Sequence, residues 1–151
     1  MIVSPTIVDP LASLATPVAS LALLPGNPRR GDVDAVARSL AAFGQRKPIV
    51  AKRDGTVIAG NHTLQAALQL GWSDVAVVFV DDDDDTARAF ALADNRTAEL
   101  GTYDNEALVA MLAECDAELL AATGWSDKDV AELVAATTPP VIAGDPDEIP
   151  D

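Results

Sequence analysis

The spacing of apolar positions alternates between strand-like and helix-like periods, and turn residues punctuate each switch. Val18 to Leu23 reads as a short strand, closed by the turn-rich run Leu24-Pro25-Gly26-Asn27-Pro28. Val33, Val36, Leu40 and Phe43 then keep helical spacing, with Asp32 as N-cap and Gly44 as the stop. Lys47 to Lys52 predicts a strand, Asp54-Gly55 a two-residue hairpin turn, and Thr56 to Ala59 the returning strand. A second helix is predicted from Gly60 to Leu70, stopped by Gly71, and Val75 to Val80 follows as the most apolar strand. A third helix carries Ala87, Phe90, Ala91 and Ala93 and is predicted to end near Asp94-Asn95-Arg96-Thr97. Beyond Tyr103, short helices are predicted over Asn105 to Glu114, Ala117 to Ala122 and Asp127 to Ala136.

The order β, α, β-hairpin, α, β, α predicts a compact α+β domain (mixed α/β) with a small mixed sheet, followed by a helical extension. The chain divides into an irregular leader at 1–16, a domain at 17–100, a helical extension at 101–137 and a disordered acidic tail at 138–151. Apolar residues make up 49% of the chain but aromatics only 4%, so the core is expected to be Ala, Val and Leu.

Net charge changes this picture more by its distribution than by its total of −14. Residues 1–80 hold seven basic and five acidic side chains, whereas residues 81–151 hold three basic and nineteen acidic ones. All seven basic residues of the first part lie between Arg29 and Arg53, a local cluster suited to a compact anion such as a nucleotide phosphate. A long duplex is a poor fit, because the acidic half repels its flanking backbone, and Lys128 is the sole basic residue of the C-terminal helices. Direct DNA binding is therefore not expected. The N-terminus lacks a basic n-region and is broken by Pro5, Pro10 and Pro17, and no apolar run reaches the ~18–20 residues of a membrane span. The chain reads as soluble and cytoplasmic, in a bacterium or a phage-infected cell. Cys115 has no partner for a disulfide and no Cys/His neighbours for zinc, and reads as a buried structural thiol.

Candidate chemistry concentrates at Val57 to Ala67, where a strand runs through Gly60 into a helix. A helix start of this kind offers unpaired N–H groups and the positive end of the macrodipole to an anion. Gly60 permits close approach, and Asn61, His62 and Thr63 can add hydrogen bonds. The plainer alternative is a tight strand-to-helix turn with Asn61 or Thr63 as a cap. His62 is weighed between an ordinary polar contact and a phosphate contact. The run Asp81 to Asp85 reads as a solvated loop leading into a helix, with a metal site as the sharper alternative.

Asn27-Pro28-Arg29, Phe43-Gly44, Lys47-Pro48-Ile49-Val50, Ile58-Ala59-Gly60-Asn61-His62, Leu70-Gly71 and Asp94-Asn95-Arg96 occur in an order that resembles the ParB/sulfiredoxin-like superfamily. The similarity covers roughly Val18 to Glu99 and is closest in character to ParB-like domains of phages and mobile elements, some of them associated with DNA methyltransferases. The resemblance implies a CTP- or ATP-type nucleotide held with Mg²⁺. Gly44, Gln45, Arg46 and Lys47 would line one phosphate loop; Gly60, Asn61, His62 and Thr63 would take the place of a GERR-type motif. Asp94 and Asn95 would stand where Glu-Asn helps to hold the metal. His62 and Thr63 replace the two arginines of GERR, leaving Arg29, Arg30 and Arg96 as the side chains able to compensate. Sulfiredoxin chemistry is excluded, since Asn61 stands at the catalytic cysteine's position and offers no thiolate. A weak NTPase or a phosphotransferase reaction stays open. A serine-phosphorylating relative uses an early glutamate, but Asp32 here reads as a helix cap. The functions expected are a nucleotide-binding switch acting through a protein partner, an adaptor of a DNA-processing enzyme docking by its acidic helices, or a ParB-like DNA-binding or nuclease protein. Trp125 could anchor such a partner, although packing among the helices accounts for it more simply.

Overall fold

The computed structural model describes residues 6–140. Four strands form one sheet in the order β1 (Ala15–Pro17), β4 (Asp74–Val80), β2 (Ile49–Lys52), β3 (Val57–Ala59). β2 and β3 are the antiparallel hairpin turned at Asp54-Gly55, while β2 runs parallel to β4, with Ile49 opposite Val77 and Lys52 opposite Val80. The helices are α1 (Val33–Phe43), α2 (Asn61–Gln69), α3 (Asp84–Glu99), α4 (Asn105–Ala113), α5 (Ala117–Ala122) and α6 (Asp127–Thr137). This is an α+β fold.

Helix α2 is the keystone. Leu64 and Ala67 on one face join Ile49, Ala51, Val57, Val75 and Val77 of the sheet, and Ala66 on another face meets Ala37 and Leu40 of α1. Trp72, just past the Gly71 stop, packs against both clusters and ties them together. Small Ala side chains let the helix approach the sheet and α1 closely, while the fully buried Leu64 supplies about 1.5–3 kcal/mol of transfer free energy. Aspartates cap four helices: Asp32, Asp83, Asp104 and Asp116 each accept the N–H three residues on, and Ser126 closes a capping box with Asp129 on α6. Part of the acidic excess is thus cap chemistry.

Expectations change in three places, the first at the N-terminus. The stretch 1–16 is not irregular over its described part, since a 3₁₀ helix spans Asp9–Leu14 and β1 follows, pairing Ala15 with Ala76. The strand expected at Val18 to Leu23 is a 3₁₀ turn at Val18–Ser20 with an isolated bridge at Ala22; the real strand lies just before it. Pro17 fits there because β1 is the sheet edge, where a missing N–H costs little. Second, α3 runs through Asp94–Thr97 to Glu99. Asn95 and Thr97 donate their side-chain hydrogens to the carbonyls of Ala91 and Ala93 one turn back, so these polar residues do not break the helix. Third, Cys115 is only half-buried, with Sγ 3.7 Å from the Met111 carbonyl.

In the C-terminal extension α5 packs against α1 of the body, and α4 packs against α6. Trp125 meets Tyr103 edge-on, ring centroids 5.8 Å apart, so it serves packing at that point. The tail expected to be disordered lies outside the described residues from 141 onward. No described helix is long and apolar enough to cross a membrane.

Candidate functional site

At the end of β3 the chain must reverse into α2, and Gly60 does this in the left-handed region at φ +97°. A Cβ there would also lie 2.9 Å from Cγ1 of Ile49, so glycine is required both by conformation and by space. No side chain caps α2. The backbone N–H groups of Asn61, His62 and Thr63 therefore remain available at the positive end of the helix.

The side chains that follow are committed differently from the sequence expectation. Asn61 is buried; its Oδ1 accepts the Leu24 N–H at 2.8 Å and its Nδ2 donates to the Val57 carbonyl at 3.3 Å. Both polar atoms of its amide are therefore engaged by the fold. His62 Nε2 accepts the Gly31 N–H at 2.9 Å, which puts the ring proton on Nδ1. A Cβ on Gly31 would fall 2.7 Å from Cδ2 of that ring, so the glycine makes the contact sterically allowed. Asn61 and His62 thus clasp the two ends of the loop from Leu24 to Gly31. Thr63 is half-buried.

The clasped loop brings Asn27 and Arg29 to the first turn of α2, and α3 brings Asp94 and Asn95 from the opposite wall. Together with Gly60 to Thr63 these residues enclose a cavity of about 150 Å³. Arg29 and Arg30 continue into a groove of about 500 Å³ shared with Asn95, Arg96 and Glu99. Arg29 Nη1 lies 2.9 Å from Glu99 Oε1, and Arg96 Nη1 lies 3.5 Å from Glu99 Oε2. No hydrogen bond or ion pair engages the Arg30 side chain among the described residues. Asn95 Nδ2 is used on the Ala91 carbonyl, leaving its Oδ1 as an open acceptor beside the exposed carboxylate of Asp94. Two hard oxygen donors suit Mg²⁺ only where phosphate oxygens and waters complete the octahedron. Among the described residues no three His, Cys, Asp or Glu side chains gather into a metal-binding group, so the Asp81 to Asp85 run makes no such cluster.

The other expected phosphate loop is built for something else. Gln45 is 1% exposed; its Nε2 donates to the carbonyls of Ala76 (2.9 Å) and Lys47 (3.0 Å), and its Oε1 accepts the Ala76 N–H at 2.7 Å. Its main chain bonds Thr6 and Val8 as well. Gln45 is a structural pin, not a ligand side chain. Arg46 folds back over α1, its Nε on the Phe43 carbonyl and its guanidinium 5.3 Å from the Phe43 ring. Gly44, Arg46, Lys47 and Thr63 line a separate cavity of about 390 Å³, so Thr63 alone belongs to both cavities.

Two members of the basic cluster face elsewhere. Lys52 bonds Asp84 and Arg53 bonds Asp81 (2.6 Å), fastening the hairpin tip to the start of α3. The Asp84 hydrogen bond raises the Lys52 pKa, and the Arg53 hydrogen bond holds Asp81 below the usual carboxylate range. Backbone hydrogen bonds from Thr56 and Thr86 do the same for Asp54 and Asp83. Sequence reasoning missed Asn27, Gly31 and Glu99. Asn27 entered only as part of a motif with no role of its own, Gly31 sits in a stretch legible only as a turn, and Glu99 carries no motif.

Residues 25–96 match the family model of the ParB N-terminal domain. No curated protein sequence matches the chain. Among solved structures, the chain is similar to the C-terminally truncated chromosome-partitioning protein ParB from Caulobacter crescentus complexed with CTP-γ-S, at TM-score 0.64 and 20% identity over 79% of this chain and 74% of that one. It is also similar to a Pnob8-like ParB-N domain (TM-score 0.48, 17% identity, 81% and 45% covered). A third likeness is to the Caulobacter protein complexed to the centromeric parS site (TM-score 0.45, 17% identity, 80% and 64% covered). Over residues 25–96, then, the chain carries a ParB N-terminal-like domain on an α+β fold.

Proposed function

We propose that this domain binds a nucleoside triphosphate of the CTP or ATP type with Mg²⁺. The observation that carries the reading is the cavity at the first turn of α2, where three uncapped N–H groups meet Arg29 on one side and Asp94 with Asn95 on the other. The N–H groups would receive phosphate oxygens, Arg29 and Arg30 would neutralise them, and Asp94 and Asn95 would present oxygens to the metal. The CTP-γ-S complex of a protein of the same fold supports the choice of ligand class. Slow hydrolysis, coupled to a protein partner in the DNA metabolism of a phage or mobile element, extends this reading. The acidic helical extension, with Met111 and Leu119 exposed on it, is the surface we assign to that partner.

Isothermal calorimetry of CTP, ATP, GTP and ADP, with and without Mg²⁺, tests the site. The expected result is saturable, Mg²⁺-dependent binding of one nucleotide, weakened about tenfold or more by Arg29→Ala. Asn95→Ala should reduce the Mg²⁺ dependence. Absence of binding by every nucleotide at millimolar concentration would remove the proposal.

A further inference from the structure

Two of the three guanidinium groups that line the groove between the clasped loop and α3 are held by one carboxylate. Arg29 comes from the clasped loop and Arg96 from the last turn of α3, seventy and three residues respectively from Glu99. Each takes a different oxygen of Glu99, so the carboxylate bridges them as a planar anion bridges a pair of forks. The Glu99 side chain is 45% exposed, as is that of Arg29, so solvent and solutes reach the bridge. A pair this exposed is worth little, and an anion with more charge can replace it.

Building on the nucleotide reading, we infer that Glu99 is an internal counter-anion that sets the affinity of the groove for phosphate. It occupies Arg29 and Arg96 when the groove is empty of ligand, and an incoming polyphosphate displaces it from both. The device serves two needs of the local structure. It screens two arginines that would otherwise repel each other beside Arg30, and it anchors the middle of the Leu24 to Gly31 loop to α3 between the two clasps made by Asn61 and His62. A ligand therefore competes with Glu99 before it gains Arg29. Affinity is lower than the number of cations around the groove suggests.

The test is a titration of the full chain with Mg-CTP, Mg-ATP and inorganic tripolyphosphate, comparing wild type with Glu99→Gln, Arg29→Ala and the double variant. Glu106→Gln, on the exposed first turn of α4, supplies the same change in net charge away from the groove. Glu99→Gln should tighten tripolyphosphate and the cognate nucleotide by about two- to five-fold, the range set by an exposed ion pair. Glu106→Gln should leave both unchanged, and the gain should shrink on the Arg29→Ala background, where Arg96 alone is left for Glu99→Gln to free. Tripolyphosphate gained by Glu99→Gln with no nucleotide bound by any variant upholds Glu99 and removes the nucleotide reading. A nucleotide bound equally or more weakly by Glu99→Gln keeps that reading and overturns Glu99. No anion bound by any variant overturns both.

Discussion

Replacing Gln45 by alanine should cost stability, not ligand affinity. The side-chain amide makes both of its main-chain-like bonds to Ala76, donating to the carbonyl and accepting from the N–H, as a strand residue would, and so lengthens the β2 side of the β4 ladder. A third bond reaches the Lys47 carbonyl. Alanine removes all three partners at once. Ala76 is fully buried, so its N–H is left unpaired away from water, at about 1–3 kcal/mol, and the two carbonyls and the vacated space add to that. We expect a loss of about 3–5 kcal/mol, a large share of the ~5–15 kcal/mol that holds a domain together. Urea denaturation followed by tryptophan fluorescence on a Trp125→Phe background, which leaves Trp72 at both core clusters as the reporter, reads this directly. With a slope of about 1–3 kcal/mol per molar, the midpoint should fall by one molar or more. Arg46→Ala, one residue along, loses an exposed cation–π contact and one exposed hydrogen bond to the Phe43 carbonyl, together about 1–2 kcal/mol at most. If the two variants have equal midpoints and Gln45→Ala instead loses nucleotide binding, the pin is refuted and a phosphate role restored.

Gly60→Ala and Gly26→Ala each force a side chain into the left-handed region, at about 1–2 kcal/mol, but only at Gly60 does the new Cβ also meet Ile49 Cγ1, so Gly60→Ala should have the lower melting temperature. Gly31→Ala should push the His62 ring aside and free the Gly31 amide, read as faster hydrogen exchange at that amide with little change in overall stability. The hairpin turn, the α3 cap and the Arg53–Asp81 tie should be acid-labile. Asp54, Asp81 and Asp83 have folded pKa values below the ordinary ~3.9, so their contribution is complete above that value and is lost as pH falls through the lower folded values. Amide exchange at the start of α3 should rise over that window, and Asp81→Asn should abolish Arg53's part of the effect.

The elements that could be read from sequence are those whose signals are local. Asp32, Gly44, Asp54-Gly55 and Gly71 each fix their turn through their own backbone or nearest neighbours, and the elements between them fall where the spacing puts them. β1 was hidden because a three-residue edge strand holding Pro17 has no period to detect, and its partner is far along the chain. The end of α3 was misplaced because Asn95 and Thr97 resemble a terminus in one dimension, whereas in three their side chains bond back to the helix. At the candidate site, position in sequence located the first turn of α2 and the Asp94-Asn95 wall. It did not reveal the direction of side chains. Asn61 and Gln45 carry amides that suit a ligand equally well, and only burial and partners assign them to the fold.

The N-terminal strand also dictates an order of assembly. Ala15 must find Ala76 roughly sixty positions downstream, and Thr6 and Val8 must find Gln45. During synthesis this segment emerges before β2 and β4, and its docking edge does not exist until β4 has followed and paired with β2. Closing so long a loop costs entropy that only the finished β2–β4 pair can repay, which makes β1 a late addition to the folding reaction. Until it docks, the edge of β4 stands open with the apolar run Val75 to Val80 beside it, and that interval is when a nascent chain is most exposed to pairing with another copy of itself.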